Sequence, residues 1–120
     1  MRRKHQGLLV WQQAMVLVKS VYAVTNDFPK HEVFGLVSQM RRAAISVPSN
    51  IAEGAGRSSK KEFLQFLSIA RGSLNELDTQ LLIAKDLGYL AETEAIDALI
   101  DRVLALIGGL INSERKAAAK

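Results

Sequence analysis

The chain has 120 residues, 48% hydrophobic and 6% aromatic, and its 16 lysines and arginines outnumber 12 acidic residues for a net charge of +4. That length holds one domain with a real core but not two, and the aliphatic content excludes a disordered chain. Cysteine is absent, which removes disulfides, thiolate metal sites and cysteine nucleophiles and fits the reducing cytoplasm expected for this protein.

The start, MRRKHQGLLVWQQAMVLVK, places basic residues before apolar ones in the manner of a secretion signal. Gln12 and Gln13 break the apolar run, however, and no small-x-small cleavage site follows, so a signal peptide is not expected. No apolar stretch approaches the roughly 20 residues of a membrane span. Residues 1–7 read instead as a flexible basic arm carrying Arg2, Arg3 and Lys4, a candidate contact for a polyanion.

The first helical pattern is Ala14, Leu17, Val21, Val24 and Phe28, spaced to share one face and stopped by Pro29. Trp11 and Tyr22 on this helix read as core or interface residues. The second pattern is Leu36, Met40, Ala44, Val47 and Ile51. Pro48 lies inside it, yet the stripe keeps phase across the proline, which predicts one kinked helix rather than two. Ser46, Ser49 and Asn50 are candidates to satisfy the carbonyl that the proline frees.

The third pattern is the longest. Ser59-Lys60-Lys61-Glu62 has the spacing of a capping box, and Phe63, Leu67, Ala70, Leu74, Leu77, Leu81 and Ala84 then follow in heptad spacing. Such a seam packs against other helices at a shallow angle. Gly88 is placed to end it in the left-handed conformation. The fourth carries Ile96, Ile100, Val103, Ile107 and Leu110, widened by Leu99, Leu104, Leu106 and Ile111. Gly108 and Gly109 weaken its interior by about 1 kcal/mol each unless a close neighbour requires them, and residues 113–120 should fray. These four helices predict an all-α, antiparallel up-down four-helix bundle as a single domain over residues 1–120.

One bundle buries one face per helix. The wide fourth helix and a second apolar set on helix two, Val37, Ile45 and Ala52, exceed that need. Large side chains gain about 1.5–3 kcal/mol each on burial, so self-association is the expected outlet.

Chemistry has little support. The histidines are His5 and His31 alone, no H-E-x-x-H or E-x-x-H spacing exists, and Glu76 and Asp78 point in different directions two residues apart on a helix. No catalytic residue, metal site or cofactor is expected. The stretch SNIAEGAGRSSKKEF, Ser49–Phe63, is not a nucleotide loop, because its lysines follow the serines and a helix precedes it. Its glycines and serines suit a joint between helices. Arg57, Lys60 and Lys61 add cations at a helix N-terminus, which already favours phosphate, so a joint alone and a joint that contacts nucleic acid both remain open.

On helix two, Ser38, Arg42, Ser46, Ser49 and Glu53 form a polar face, solvated or between subunits, with Arg42 and Glu53 linked through the serines. Arg41 flanks the apolar face, where its stem can snorkel, and is a second candidate nucleic-acid contact.

Three strings, VWQQA, FPKHEVFGLVSQMRRAAISVPSNIAEGAGRSSKKEF and FLSIARGSLNELDTQLLIAKDLGYL, together resemble a known family. It comprises the four-helix bundle proteins encoded in intervening sequences of bacterial large-subunit rRNA genes. The resemblance covers about Trp11 to Leu90, and the run from Pro48 to Ser59 is its specific part. HQGLL near the start and the Gly108-Gly109 pair depart from the family pattern. The resemblance implies a ring-like homopentamer. It also implies kinship with the accessory variability determinant of diversity-generating retroelements, a basic pentameric bundle that binds nucleic acid and a reverse transcriptase.

The reading that follows is a non-enzymatic homo-oligomer that binds structured RNA or DNA through backbone electrostatics. Two alternatives stand beside it: a scaffold docking a partner protein, and a vestigial reading frame without a partner.

Overall fold

A computed structural model describes residues 3–119. Four helices carry the fold: α1, Leu9–Thr25; α2, Leu36–Ala55; α3, Lys60–Asp86; and α4, Glu94–Ala119. Short 3-10 turns at Lys4–Gly7 and Lys30–Glu32 precede α1 and α2. Each helix packs on its neighbours in sequence, and α1 closes against α4. This arrangement is consistent with an up-down bundle. No described helix is long and apolar enough to cross a membrane.

The core follows the periodicity closely. Ala14, Leu17 and Val21 of α1, Met40, Ala44, Val47 and Ile51 of α2, and Leu67, Ala70, Leu74, Leu77, Leu81 and Ala84 of α3 are all buried. From α4 come Ile96, Ile100, Val103 and Ile107. Ile111 then replaces the expected Leu110 as the last buried residue. Gln80 is buried among these apolar residues, with its Nε2 donating to Glu76 and its Oε1 unpartnered among the described residues.

Local chemistry sets the helix ends. Ser59 caps α3, its Oγ accepting from Glu62 N–H at 3.1 Å. Only half of a reciprocal capping box forms, since the Glu62 carboxylate turns to the Ser59 hydroxyl and to Arg57. At the other end Gly88 takes φ 79°. Its N–H reaches Lys85 O and the Tyr89 N–H reaches Ala84 O, both at 3.0 Å, which completes a Schellman motif. Helix α2 runs unbroken through Pro48. The Asn50 amide donates to the carbonyl and hydroxyl of Ser46, 2.8 Å each, and not to Ala44, whose carbonyl the proline deprives of its donor.

Residues 4–7 form a 3-10 turn, in which His5 packs edge-on against Trp11 and Gln6 O accepts from the Gln12 side chain at 2.8 Å. The glutamines that interrupt the apolar run therefore hold neighbours, Gln13 by accepting from Arg102 of α4 at 2.9 Å. Helix α4 continues to Ala119, through a stretch with no glycine or proline to stop it.

The surplus apolar surface lies only in part where the sequence places it: Ile45 of α2 is exposed, whereas the wide face of α4 is largely covered. Leu99, Leu104, Leu106 and Leu110 of α4 pack half-buried against the core, and Val37 belongs to it. The exposed large side chains among the described residues are on α1, on the turn before α2, on α2, and along α3 to Leu87.

Candidate nucleic-acid interface

The joint between α2 and α3 holds three of the candidate contacts, Arg57, Lys60 and Lys61. Gly54 lies within α2 rather than after it. A Cβ there would stand 2.7 Å from Phe66 Cβ and 3.0 Å from Phe63 Cδ1, so a bare backbone is what lets α3 cross so closely. Gly56 caps α2 in ordinary right-handed geometry, φ −84°. The connection is four residues long, and it brings Arg57, Lys60 and Lys4 around one cleft of about 370 Å³ floored by Leu8, Phe63 and Leu110.

Each of the first two cations is answered. Arg57 binds Glu53 at 2.9 Å and Glu62 at 3.6 Å, its guanidinium 5.0 Å from the centre of the Phe66 ring. Lys60 stands 3.9 Å from Glu114 of α4. The Glu62 carboxylate occupies the first turn of α3, where an incoming phosphate would have to compete with it. Exposed ion pairs of this kind contribute about 0–1 kcal/mol each. They also offset the local positive charge at the joint. Lys61 is exposed and forms no ion pair among the described residues. Arg3 is exposed, with its backbone N–H donating to Gln6 Oε1 at 2.7 Å. Arg2 lies outside the described residues.

The polar face predicted for α2 does not act as one unit. Arg42 and Glu53 share a face but lie eleven residues apart, roughly 16 Å along the axis, and Glu53 is taken by Arg57. Ser46 Oγ meets Ser73 of α3 at 2.9 Å. Ser49 lines an apolar groove with Trp11, Met15, Ile45 and Pro48. Ser38 and Arg42 belong to a third place, at the start of the helix.

There Arg41 and Arg42 line a groove of about 460 Å³ together with Tyr22, Lys30, Phe34 and Ser38. None of its lining residues carries a carboxylate. Arg41 is fixed from below: its Nε donates to Thr25 Oγ1 at 3.0 Å, its Nη2 approaches Tyr22 O at 3.5 Å, and its guanidinium lies 4.4 Å from the Tyr22 ring centre. Thr25 is buried and in turn donates to Val21 O at 2.7 Å, so the guanidinium is held by a side chain that itself cannot swing. Phe34 is 97% exposed.

Glu32, next to this groove in sequence, is drawn away from it. Its Oε2 accepts from the Tyr89 hydroxyl at 2.8 Å, and its Oε1 accepts from Leu36 N–H at the start of α2. The Tyr89 hydrogen bond, then the Leu36 one, hold the Glu32 carboxyl below its usual range, and the same contact pushes the Tyr89 phenol up. The pair spans 57 residues and ties the α1–α2 turn to the α3–α4 turn. Among the described residues no three His, Asp or Glu side chains gather as a metal site.

Periodicity did not reveal Tyr22, Thr25, Lys30 or Phe34 as neighbours of Arg41. The one available signal was Phe34 itself, a large aromatic residue outside the stripe of the helix it precedes.

Four helices closed into a ring of neighbours, with two basic clusters separated by most of α2, define a helical-bundle protein. The family model of the 23S rRNA-intervening sequence protein matches residues 6–109, and the chain belongs to that family. No curated protein matches the chain.

Proposed function

We propose that the protein is a non-enzymatic, self-associating four-helix bundle that binds structured RNA or DNA through backbone phosphates. The observation that carries this reading is the pairing of ten exposed large apolar side chains among the described residues with a net charge of +4. Ile69, Leu82, Ile83 and Leu87 lie on or just after α3, each about half exposed, and a second copy of the chain would cover the remaining half at a gain of about 1 kcal/mol apiece. Copies pool charge as they gather: five chains at +4 carry +20, enough to concentrate a polyanion without reading its bases.

Two measurements test this. Light scattering at micromolar concentration should give a multiple of the chain mass, and a monomer overturns self-association. Anisotropy with a labelled structured RNA should show binding at 50 mM salt that falls steeply by 200 mM. Absent or salt-independent binding overturns the nucleic-acid role.

The same exposed apolar residues favour a second reading, a scaffold that docks a partner protein. Reversing charge at Lys30 and Arg42, whose groove has no carboxylate in its lining, separates the two. Nucleic-acid binding should weaken, whereas apolar docking should persist.

A further inference from the structure

Where on this surface a nucleic acid would sit is decided by which cations remain unanswered. At the α2–α3 joint, Arg57 and Lys60 face Glu53, Glu62 and Glu114. At the start of α2, Lys30, Arg41 and Arg42 line one groove with no carboxylate among them. A phosphate approaching Arg57 or Lys60 must displace a carboxylate, which leaves Lys61 as the exposed lysine of that joint without an ion pair among the described residues, whereas the second place gathers three cations in one groove with no carboxylate in its lining. Arg41 uses its Nε and Nη2 on Thr25 and Tyr22, and its Nη1 has no partner among the described residues.

The groove holds more than charge. Tyr22 and Phe34 line it as well, one beneath the Arg41 guanidinium and the other almost wholly in water. Leaving a phenylalanine ring exposed is costly in a monomer. A duplex keeps its bases stacked inside and offers such a ring nothing. A single strand offers unstacked bases whose faces lie on aromatic rings and guanidinium planes while its phosphates find cations. Arg41, already held by Thr25 and Tyr22, loses little freedom on binding.

We infer that the groove between the end of α1 and the start of α2 is a single-strand nucleic-acid site, with a base stacked at Phe34 and the neighbouring phosphates at Arg42 and Lys30. This rests on the nucleic-acid reading above and makes it specific: unpaired loops or ends of a folded RNA are the ligand, rather than its helical stems.

The test compares the full chain with Phe34→Ala, Arg42→Ala and, as a control that removes a charge elsewhere, Lys85→Ala at the exposed end of α3. Each is titrated into a labelled 15-nucleotide oligouridylate and into a matched duplex across 50–200 mM salt. The wild type should prefer the single strand. Phe34→Ala should weaken single-strand binding about tenfold, the scale of one lost base stack, with its salt slope unchanged. Arg42→Ala should make the slope of log K against log salt shallower by about 0.7, the loss of one single-strand phosphate contact. Lys85→Ala should match the wild type. Oligonucleotides carrying 5-iodouridine should crosslink to the peptide that holds Phe34.

A wild type that binds no nucleic acid removes the reading beneath this one. A wild type that binds while Phe34→Ala and Arg42→Ala bind equally well removes this site alone. A fall in assembled mass for Phe34→Ala makes the ring a contact between copies and overturns the proposal. So does poly-glutamate competing as well as the oligonucleotide, which would make the groove a docking site for acidic protein segments.

Discussion

The two ends of α2 carry similar basic residues in opposite electrostatic settings. Past its C-terminal end, Arg57 and Lys60 stand within 4 Å of carboxylates from α2, α3 and α4. Near its N-terminal end, Arg41 is held by a threonine hydroxyl, a backbone carbonyl and a tyrosine face, none of which neutralises it. The difference teaches that a run of cations in a sequence does not measure a field. What measures it is whether the fold returns carboxylates to the same place, and those carboxylates come from as far away as Glu114.

The largest effect expected from testing this contrast is structural. If the joint is first a packing device, Gly54→Ala should destabilise the fold by about 1–3 kcal/mol, the cost of overpacking against Phe63 and Phe66. Gly109→Ala, where an added Cβ meets nothing, should instead stabilise by up to about 1 kcal/mol. Urea unfolding of both variants measures the difference, and equal midpoints would refute the packing role.

The next effect converts one end into the other. Glu53→Gln with Glu62→Gln should leave Arg57 unanswered and raise affinity for nucleic acid several-fold at 50 mM salt, with a steeper salt slope. No gain would mean that the joint lies outside any contact surface. A smaller effect is expected from Arg57→Ala, which should cost less than about 1 kcal/mol in thermal unfolding because its pairs are exposed. A larger loss would promote the network from local neutralisation to a structural clamp.

The smallest is a pH effect at Glu32 and Tyr89. Glu32 is held below its ordinary value, so its contribution is present above the unfolded glutamate value, about 4.3. It is lost as pH falls through the lower folded value. Tyr89 is pushed up, so its contribution is present below about pH 10 and is lost as pH rises through the higher folded value. Tyr89→Phe should flatten both edges of the stability–pH curve, and a curve unchanged at the acid edge would show that the contact does not hold in solution.

Much of the fold was legible because its signals are local. The seam of α3, the Ser59 cap and the left-handed Gly88 each follow from residues within a few positions of one another. The sites were less legible, because sharing a helix face fixes an angle and not a distance along the axis. Arg42 and Glu53 looked like partners on that basis, and the fold sends them to different neighbours. The width of the apolar surface on α4 misled for a related reason: it is covered by α1 and α3, whose reach the sequence of α4 alone does not contain. Tyr22, Phe34 and Arg41 meet only because α1 and α2 fold back on each other.

The bare backbone at Gly54 has one more consequence, for the order of assembly. It lets α2 and α3 touch across a link of four residues, so this hairpin closes with little loss of chain freedom. The seam between α1 and α4 joins positions such as Gln13 and Arg102, 89 residues apart, and has to wait. Refolding should therefore protect the amides of the central hairpin before those of the two outer helices.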